Sequence, residues 1–435
     1  MKNEELKNVK GSIDYGGKDA KIRNFISKTL QEVFEKYGYS LLETSILCYY
    51  DLLALKYDDD NDILKEIYKV SDQGNRNLAL RYDLTVPFAK YIASNKEINL
   101  PYKRYEIGKV FRDGPIKKGR VREFIQCDVD SVGIEGQMIE AELLSIFVEG
   151  YKRLGIDIII KYNNRKLMNG LIEVCNISKD KISQVITLID KIEKMSKEEL
   201  IQEFNRIELQ QSQIEKLFKY LNMDFNSLNN IFRDTNELNI KEGLKELNEL
   251  NKYINALELN EYVEFIPSLA RGQEYYTGTI FEVYAKNENI KSSIGGGGRY
   301  DNMIGDFIND GKKYPAVGLS FGLDVIYEIL KNRKNINNNN LNIYIIPMGN
   351  VIKALEISKN LREKNINVDI EMNNIKVKKA LNYANKENIP YVIIIGEDEL
   401  KENSVILKNM KKGSQQKIKV EEILKNLYET EEYIC

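Results

Sequence analysis

The chain has 435 residues, of which 43% are hydrophobic and 30% charged, with a formal net charge of -2. That length allows two or three domains around substantial cores, and the near balance of charge excludes a global basic field, so any surface for RNA has to be a local patch. The chain contains no histidine. This removes the commonest general base and the favoured nitrogen ligand for metals, and leaves catalysis to carboxylates, arginines, tyrosines or the substrate itself. The four cysteines, Cys48, Cys127, Cys175 and Cys435, form no CxxC pair and read as thiols of a reducing cytosol. The N-terminal MKNEELKNVKG is charged where a signal peptide needs an apolar core, and no run of about 18 apolar residues occurs. A soluble, cytoplasmic protein without membrane contact is expected.

Residues 18 to 37 set Ile22, Phe25, Ile26, Leu30, Val33 and Phe34 at helical spacing, and Lys36-Tyr37-Gly38-Tyr39 ends that helix. A strand through Leu41 and Leu42 follows. NLALRYDLTVPFA, from Asn77 to Ala89, alternates like a strand before meeting Pro87 and a helix. YKRYEIGKVFR (102–112) and EFIQCDVDSV (123–132) alternate polar and apolar residues and predict two antiparallel strands joined by the basic loop DGPIKKGRVR. From Ser178 to Tyr262 the pattern predicts a helical insertion, with Ile182, Val185, Ile186, Ile189 and Ile192 at helical spacing and Ser196-Lys197-Glu198-Glu199 as a capping box. The strand pattern returns at Phe265, runs through LARGQEYYTGTIFEV (269–283) to SSIGGGGRYDNMIG, and closes with AVGLSFGLDVIYEIL, a strand leading into a helix. KNRKNINNNN (331–340), polar but for Ile336, reads as a linker. Beyond it IYIIP, NVDIE, YVIIIG and VILKNM predict strands of a separate α/β unit. Between the first three lie helices with Val351, Leu355 and Ser358, then Val377, Ala380, Leu381 and Ala384 on one face, an alternation that implies parallel pairing. The basic IKVKK and KKGSQQKIK of this unit, offset by acidic GEDEL and ETEEY, leave a solvated face and an RNA contact both open.

Four segments concentrate chemistry. Arg112, Lys117, Lys118, Arg120 and Arg122 sit on or beside the hairpin loop, where guanidinium forks can hold phosphate oxygens or simply stay solvated. Arg271 lies inside a strand pattern, where a charge needs a partner: Glu274 or Glu282, or a ligand anion. Asp83 and Thr85, two apart on RYDLT, share a face, as do Gln126, Asp128 and Asp130 on the returning strand. A carboxylate, a hydroxyl and an amide so placed suit a small zwitterion's ammonium group and a nitrogen ring. Gly295 to Gly298 let the backbone approach a ligand or bend, and Tyr275 and Tyr276 would alternate, one into the site and one into the core.

The order of these segments resembles the class II aminoacyl-tRNA synthetases, specifically the histidyl-tRNA synthetase family. LRYDLTVPFAKYIA, VFRDGPIKKGRVREFIQCDVDSVG, NNRKLMNGL, LARGQEYYTG, GGGRYD and the C-terminal unit carry the resemblance over essentially the whole chain. It implies an α/β (α+β) fold: an antiparallel catalytic sheet flanked by helices over 1–170 and 260–332, a helical insertion at 171–259, a linker at 333–340 and an anticodon-binding α/β domain at 341–435. It further implies a homodimer that ligates L-histidine to histidine tRNA through a histidyl-adenylate, with ATP as substrate and Mg2+ bridging the phosphates; no metal-ligating residue is assigned. By position, Asp83, Thr85 and Gln126 resemble contacts to the histidine amino group, and Asp130 and Tyr276 contacts to the imidazole. Arg112 resembles the arginine that grips the ATP α-phosphate, and Arg271 the second catalytic arginine, with Tyr275 beside it in the amino-acid pocket; Arg120 joins them in the ATP set.

The pattern departs from the family in three places. The family's last helix begins with Gly-Leu or Gly-Val and then Glu-Arg, whose arginine binds the ATP γ-phosphate, whereas Asp324 and Val325 hold those places here. Arg112 is followed by Asp113-Gly114-Pro115, and Gln273-Glu274 replace the usual Leu-Asp. The missing guanidinium is answered by Arg333, a lysine of the hairpin loop or magnesium, or else the chain is a catalytically weak paralogue, a histidine-sensing regulatory or tRNA-binding protein.

Overall fold

The two alternating runs at 102–112 and 123–132 form the central hairpin of the larger sheet in the computed structural model, which describes residues 6–55, 62–95, 97–192, 195–271, 275–333 and 342–428. The chain divides into two compact units, Met1–Lys334 and Asn335–Cys435. Strands of the first are Ser40–Leu41 (β1), Leu47–Tyr49 (β2), Lys69–Val70 (β3), Leu78–Leu80 (β4), Tyr102–Phe111 (β5), Glu123–Val132 (β6), Ile158–Asn164 (β7), Val263–Phe265 (β8), Thr279–Ala285 (β9), Gly295–Arg299 (β10) and Ala316–Gly322 (β11). Eight of them form one sheet in the order β1-β5-β6-β11-β10-β9-β7-β8, antiparallel except at its two outer pairs.

Alternation divides this sheet into two faces. Cys127, Val129 and Phe321 are fully buried on one of them, and the Phe321 ring lies 5.0 Å from Phe147 and 5.8 Å from Phe34. Those partners come from the helices Met138–Arg153 and Gly17–Lys36, which with Leu323–Leu330 close that side. Gln126, Asp128 and Asp130 occupy the alternate positions and line a pocket instead. The first helix buries Ile22, Ile26, Leu30, Val33 and Phe34 as its spacing predicts, while Phe25 stays exposed, and Gly38 beyond its end takes a positive φ of 78°.

The described residues between 165 and 256 form helices joined by turns, with their own core of Met168, Ile172, Val185, Ile189, Leu200, Phe204, Ile214 and Leu217. The capping box at Ser196 is present in both directions. Gly243, the one interruption in that pattern, lies where a Cβ would press on the Leu167 backbone, so the helices Arg165–Glu173 and Leu238–Ala256 approach closely only because it has none.

In the second unit Ile343–Ile346 (β12), Val368–Ile370 (β13), Tyr391–Ile394 (β14), Ser404–Asn409 (β15) and Gln415–Lys419 (β16) run in the order β13-β12-β14-β15-β16. The first three pair in parallel, as the strand-helix alternation implies, and the last two are added antiparallel.

Several expectations need correction. RYDLT is not a strand: β4 stops at Leu80, and the Oδ1 of Asp83 accepts from the Val86 N–H at 3.1 Å, capping the helix Thr85–Ser94. The described residues of LARGQEYYTG, 269–271 and 275–278, do not continue a strand either, and β9 begins only at Thr279. Asn163 donates to the carbonyls of Pro267 and Leu269, taking up groups that a strand would offer a neighbour. In the helix Val351–Arg362, Val351 and Leu355 are exposed and Ala354, Ile357, Ser358 and Leu361 form the buried row. QQKIK, read from the sequence only as part of a basic segment, pairs as β16. The pair Gln273-Glu274, Cys435, the ETEEY segment and nearly all of the linker lie outside the described residues.

Candidate active site

Three neighbouring strands, β6, β11 and β10, and the loops around them build one pocket of about 180 Å³. Its floor is mostly main chain. Gly296 and Gly298 on β10 and Gly318 on β11 leave space that a Cβ would take from Arg271 Nη1, the Tyr276 ring and Asp130 Oδ1 respectively. Gly297 faces the other way, against the Gly318 carbonyl, which a Cβ would strike. Gly296, Gly298 and Gly318 therefore let three functional side chains lie flat on the sheet.

Of the residues expected in the site, Asp83, Thr85, Arg112, Gln126, Asp130, Arg271, Tyr275 and Tyr276 all line this pocket. Thr85 arrives as the first residue of its helix and Asp83 from the turn before it. Both tyrosines face the pocket, with ring centroids 4.8 Å apart, so the expected split between site and core does not occur; without strand geometry they need not alternate. Arg271 donates to the Phe281 carbonyl at 2.8 Å and has Glu282 at 3.6 Å. Arg112 is held by the Tyr82 carbonyl at 3.0 Å, with its guanidinium carbon 5.3 Å from the Phe124 ring.

Arg120 lies elsewhere. With Lys117, Lys118, Asp190, Glu282 and Lys291 it lines an adjoining cleft of about 610 Å³, and Ser293 borders both spaces. The tip of the hairpin, Gly119, rests against Val325: a Cβ there would stand 3.4 Å from its Cα. Arg333 donates to the Gly155 carbonyl and to Glu288, each within 2.7 Å, so its charge is already answered. Asp324 accepts from Arg23 at 2.6 Å and from the Ile125 N–H at 2.9 Å, which ties the last helix to the strand that carries Gln126.

Behind the pocket a buried ionic cluster sets its electrostatics. Arg104 is wholly enclosed, 2.7 Å from Asp130 and 3.6 Å from Glu106, and Arg81 meets Glu106 at 2.7 Å. Tyr300 donates to Asp130 at 2.6 Å. Burial pushes Asp130 above the ordinary carboxylate range, with Arg104 and Tyr300 pulling it back. Asp83 is pushed up to about 6 by burial, offset by the Val86 N–H and Arg112. One acidic oxygen on each of Asp83 and Asp128, and the Gln126 carbonyl, are enclosed without a hydrogen-bond donor. Such oxygens form a site for N–H groups. Sequence reasoning placed Asp128 on this face but gave it no role, and it passed over Phe124, Tyr300 and Gly318. Strand alternation back from Gln126 is the available signal for Phe124, whereas nothing local marks a residue that arrives from another strand.

Comparison with known proteins decides the family. A family model described as histidyl-tRNA synthetase matches residues 11–326, and one described as an anticodon binding domain matches 342–430. The chain belongs to the histidyl-tRNA synthetase family. It is 47% identical over 429 residues to histidine–tRNA ligase 1 of Bacillus cereus (strain ATCC 10987 / NRS 248), covering 98% of both chains. Among solved structures, the histidyl-tRNA synthetase of Nostoc sp. PCC 7120 superposes with a TM-score of 0.84 at 26% identity, over 97% of this chain and 99% of that one. An ATP phosphoribosyltransferase regulatory subunit/histidyl-tRNA synthetase from Bacillus halodurans gives a TM-score of 0.76 at 20% identity, over 91% of this chain and 99% of that one, a likeness of fold alone. Members of the synthetase family use ATP with a divalent metal. No helix among the described residues is long and apolar enough to cross a membrane.

Proposed function

We propose that this chain is a histidine–tRNA ligase that forms histidyl-adenylate from L-histidine and ATP and passes the histidyl group to histidine tRNA. One observation carries the reading beyond family membership. Two arginines, Arg112 and Arg271, and a row of acids from Asp83 to Asp130 line the same pocket, so opposite charges of one small zwitterion can be met at once. A carboxylate oxygen of histidine attacks the α-phosphorus, the bond to pyrophosphate breaks, and Arg112 and Arg271 answer the charge that grows on the phosphoryl oxygens. No protein nucleophile or histidine base is needed, in keeping with a chain that contains no histidine. A hydroxyl at the tRNA 3′ end then displaces AMP from the histidyl carbonyl.

In this reading Thr85 and Gln126 join Asp83 on the amino group, Asp130 and Tyr276 hold the imidazole, and Tyr275 closes the amino-acid pocket. Lys117, Lys118 and Arg120 have no ion-pair partner among the described residues; they take the phosphate tail in place of the family's arginine at Val325. Magnesium enters with ATP, held by phosphate oxygens; among the described residues no group of three or more Cys, Asp or Glu side chains is gathered to hold a metal. The C-terminal unit reads unpaired anticodon bases of the tRNA. The working form is a cytoplasmic homodimer, for which exposed Leu47 and Tyr49 offer apolar surface.

The test is exchange of labelled pyrophosphate into ATP. Exchange should require histidine, and in Arg271→Ala it should fall by about 10²–10³-fold, the usual loss when one preorganised charge donor is removed. Absence of exchange from a protein that still binds histidine would replace the ligase with the sensor.

A further inference from the structure

Within the enclosed cluster behind the pocket the acids outnumber the arginines. Arg81 and Arg104 face Glu106, Asp128 and Asp130 on the hairpin β5–β6. Arg81 is committed to Glu106 at 2.7 Å, and Arg104 to Asp130 at 2.7 Å with Glu106 behind it at 3.6 Å. Asp128 is left over. It is 2% exposed, it lines the pocket, and its Oδ1 is enclosed without a donor. It stands between Gln126 and Asp130 on the same face, and across the sheet its row continues through Ser320 to Gly296, over which Arg271 lies. A buried carboxyl whose nearby cation, Arg104, is already ion-paired to Asp130, and which borders a ligand cavity, is a site for an incoming cation.

We infer that Asp128 is a second counter-charge, beside Asp83, for the substrate's ammonium group, so that the pocket selects an α-amino acid over the same side chain lacking the amine. This rests on the histidine-ligating reading and adds to it a residue and a proton. Burial, with Asp130 and Asp83 adding to it and Arg104 and Ser320 working against it, pushes the empty-pocket carboxyl of Asp128 up to about 8. The other groups facing it are Glu106 on β5, Arg271 and Tyr276 from the loop before β9, Arg112 beyond β5, and Tyr300 after β10. The sign follows directly: near neutral pH the empty protein keeps a proton on Asp128, an arriving ammonium favours the carboxylate, and the proton leaves to solvent. Histidine affinity therefore gains with rising pH up to about 8 through this group.

Calorimetry at pH 7.5 in two buffers of different ionisation enthalpy measures the proton. The probes are L-histidine and imidazolepropionate, which is histidine without its amine. The native protein should release a large fraction of a proton on binding histidine and none on binding imidazolepropionate. Asp128→Asn, which keeps shape and loses charge, should weaken histidine binding at least tenfold, leave imidazolepropionate within about twofold, the scatter of a substitution remote from the ligand, and abolish the release. Equal weakening of both ligands, release that persists in Asp128→Asn, or no release from the native protein overturns the assignment. If Asp128→Asn does not fold, the two ligands on the native protein decide alone. A native protein that binds no histidine at all fails the ligase reading itself, which is a different result from histidine bound without proton release.

Discussion

Asp324 shows how one side chain can leave the chemistry of its family position and stay indispensable. It stands just before the missing arginine, yet its oxygens face Tyr15 at 3.2 Å, Arg23 at 2.6 Å and the Ile125 N–H at 2.9 Å. The Arg23 and Asp324 side chains are 11% and 6% exposed, so the pair is desolvated and its charges depend on one another. Asp324→Ala strands a buried guanidinium, and the expected loss is about 3–5 kcal/mol of stability. Urea unfolding should show it as a lower midpoint with an unchanged slope. Neither the pairing with a residue 301 positions away nor its burial is visible in the local stretch FGLDVIYEIL.

At the scale of elements the glycine floor is the most demanding piece of construction. Gly297→Ala sets a methyl against the Gly318 carbonyl and the Leu319 backbone, which cannot swing aside as a side chain could. A cost of about 1–3 kcal/mol, the usual range for overpacking, should appear as a lower melting temperature together with a raised KM for histidine. The hairpin and the helical insertion were legible because alternation and helical spacing persist over many residues, long enough for one face to be buried. RYDLT and LARGQEYYTG failed for a common reason. In each, side chains capture backbone groups, Asp83 the Val86 N–H and Asn163 the carbonyls of Pro267 and Leu269, and a short alternating run has no defence against that. Eight of nine expected site residues nonetheless meet in one pocket. Motif order placed them there, even where the element assigned to them was wrong. Arg120 fell outside because a hairpin tip can lean either way, and here Gly119 leans on Val325.

For the whole molecule, the division at Lys334 and Asn335 leaves every pocket residue in the first unit. Residues 1–334 produced alone should keep histidine-dependent pyrophosphate exchange, while charging of tRNA falls by roughly a hundredfold, equivalent to about 3 kcal/mol of lost RNA binding. Exchange assays and charging assays on the same preparation separate the two effects. The pocket built into that unit has a further property, seen when the molecule is considered as a drug target. An inhibitor resting on Gly296, Gly298 and Gly318 touches main chain, and any substitution that evicts it adds a Cβ where Arg271, Tyr276 or Asp130 must lie. Resistance at the floor would cripple the host of the mutation, so the floor offers an inhibitor a surface that substitution cannot readily change.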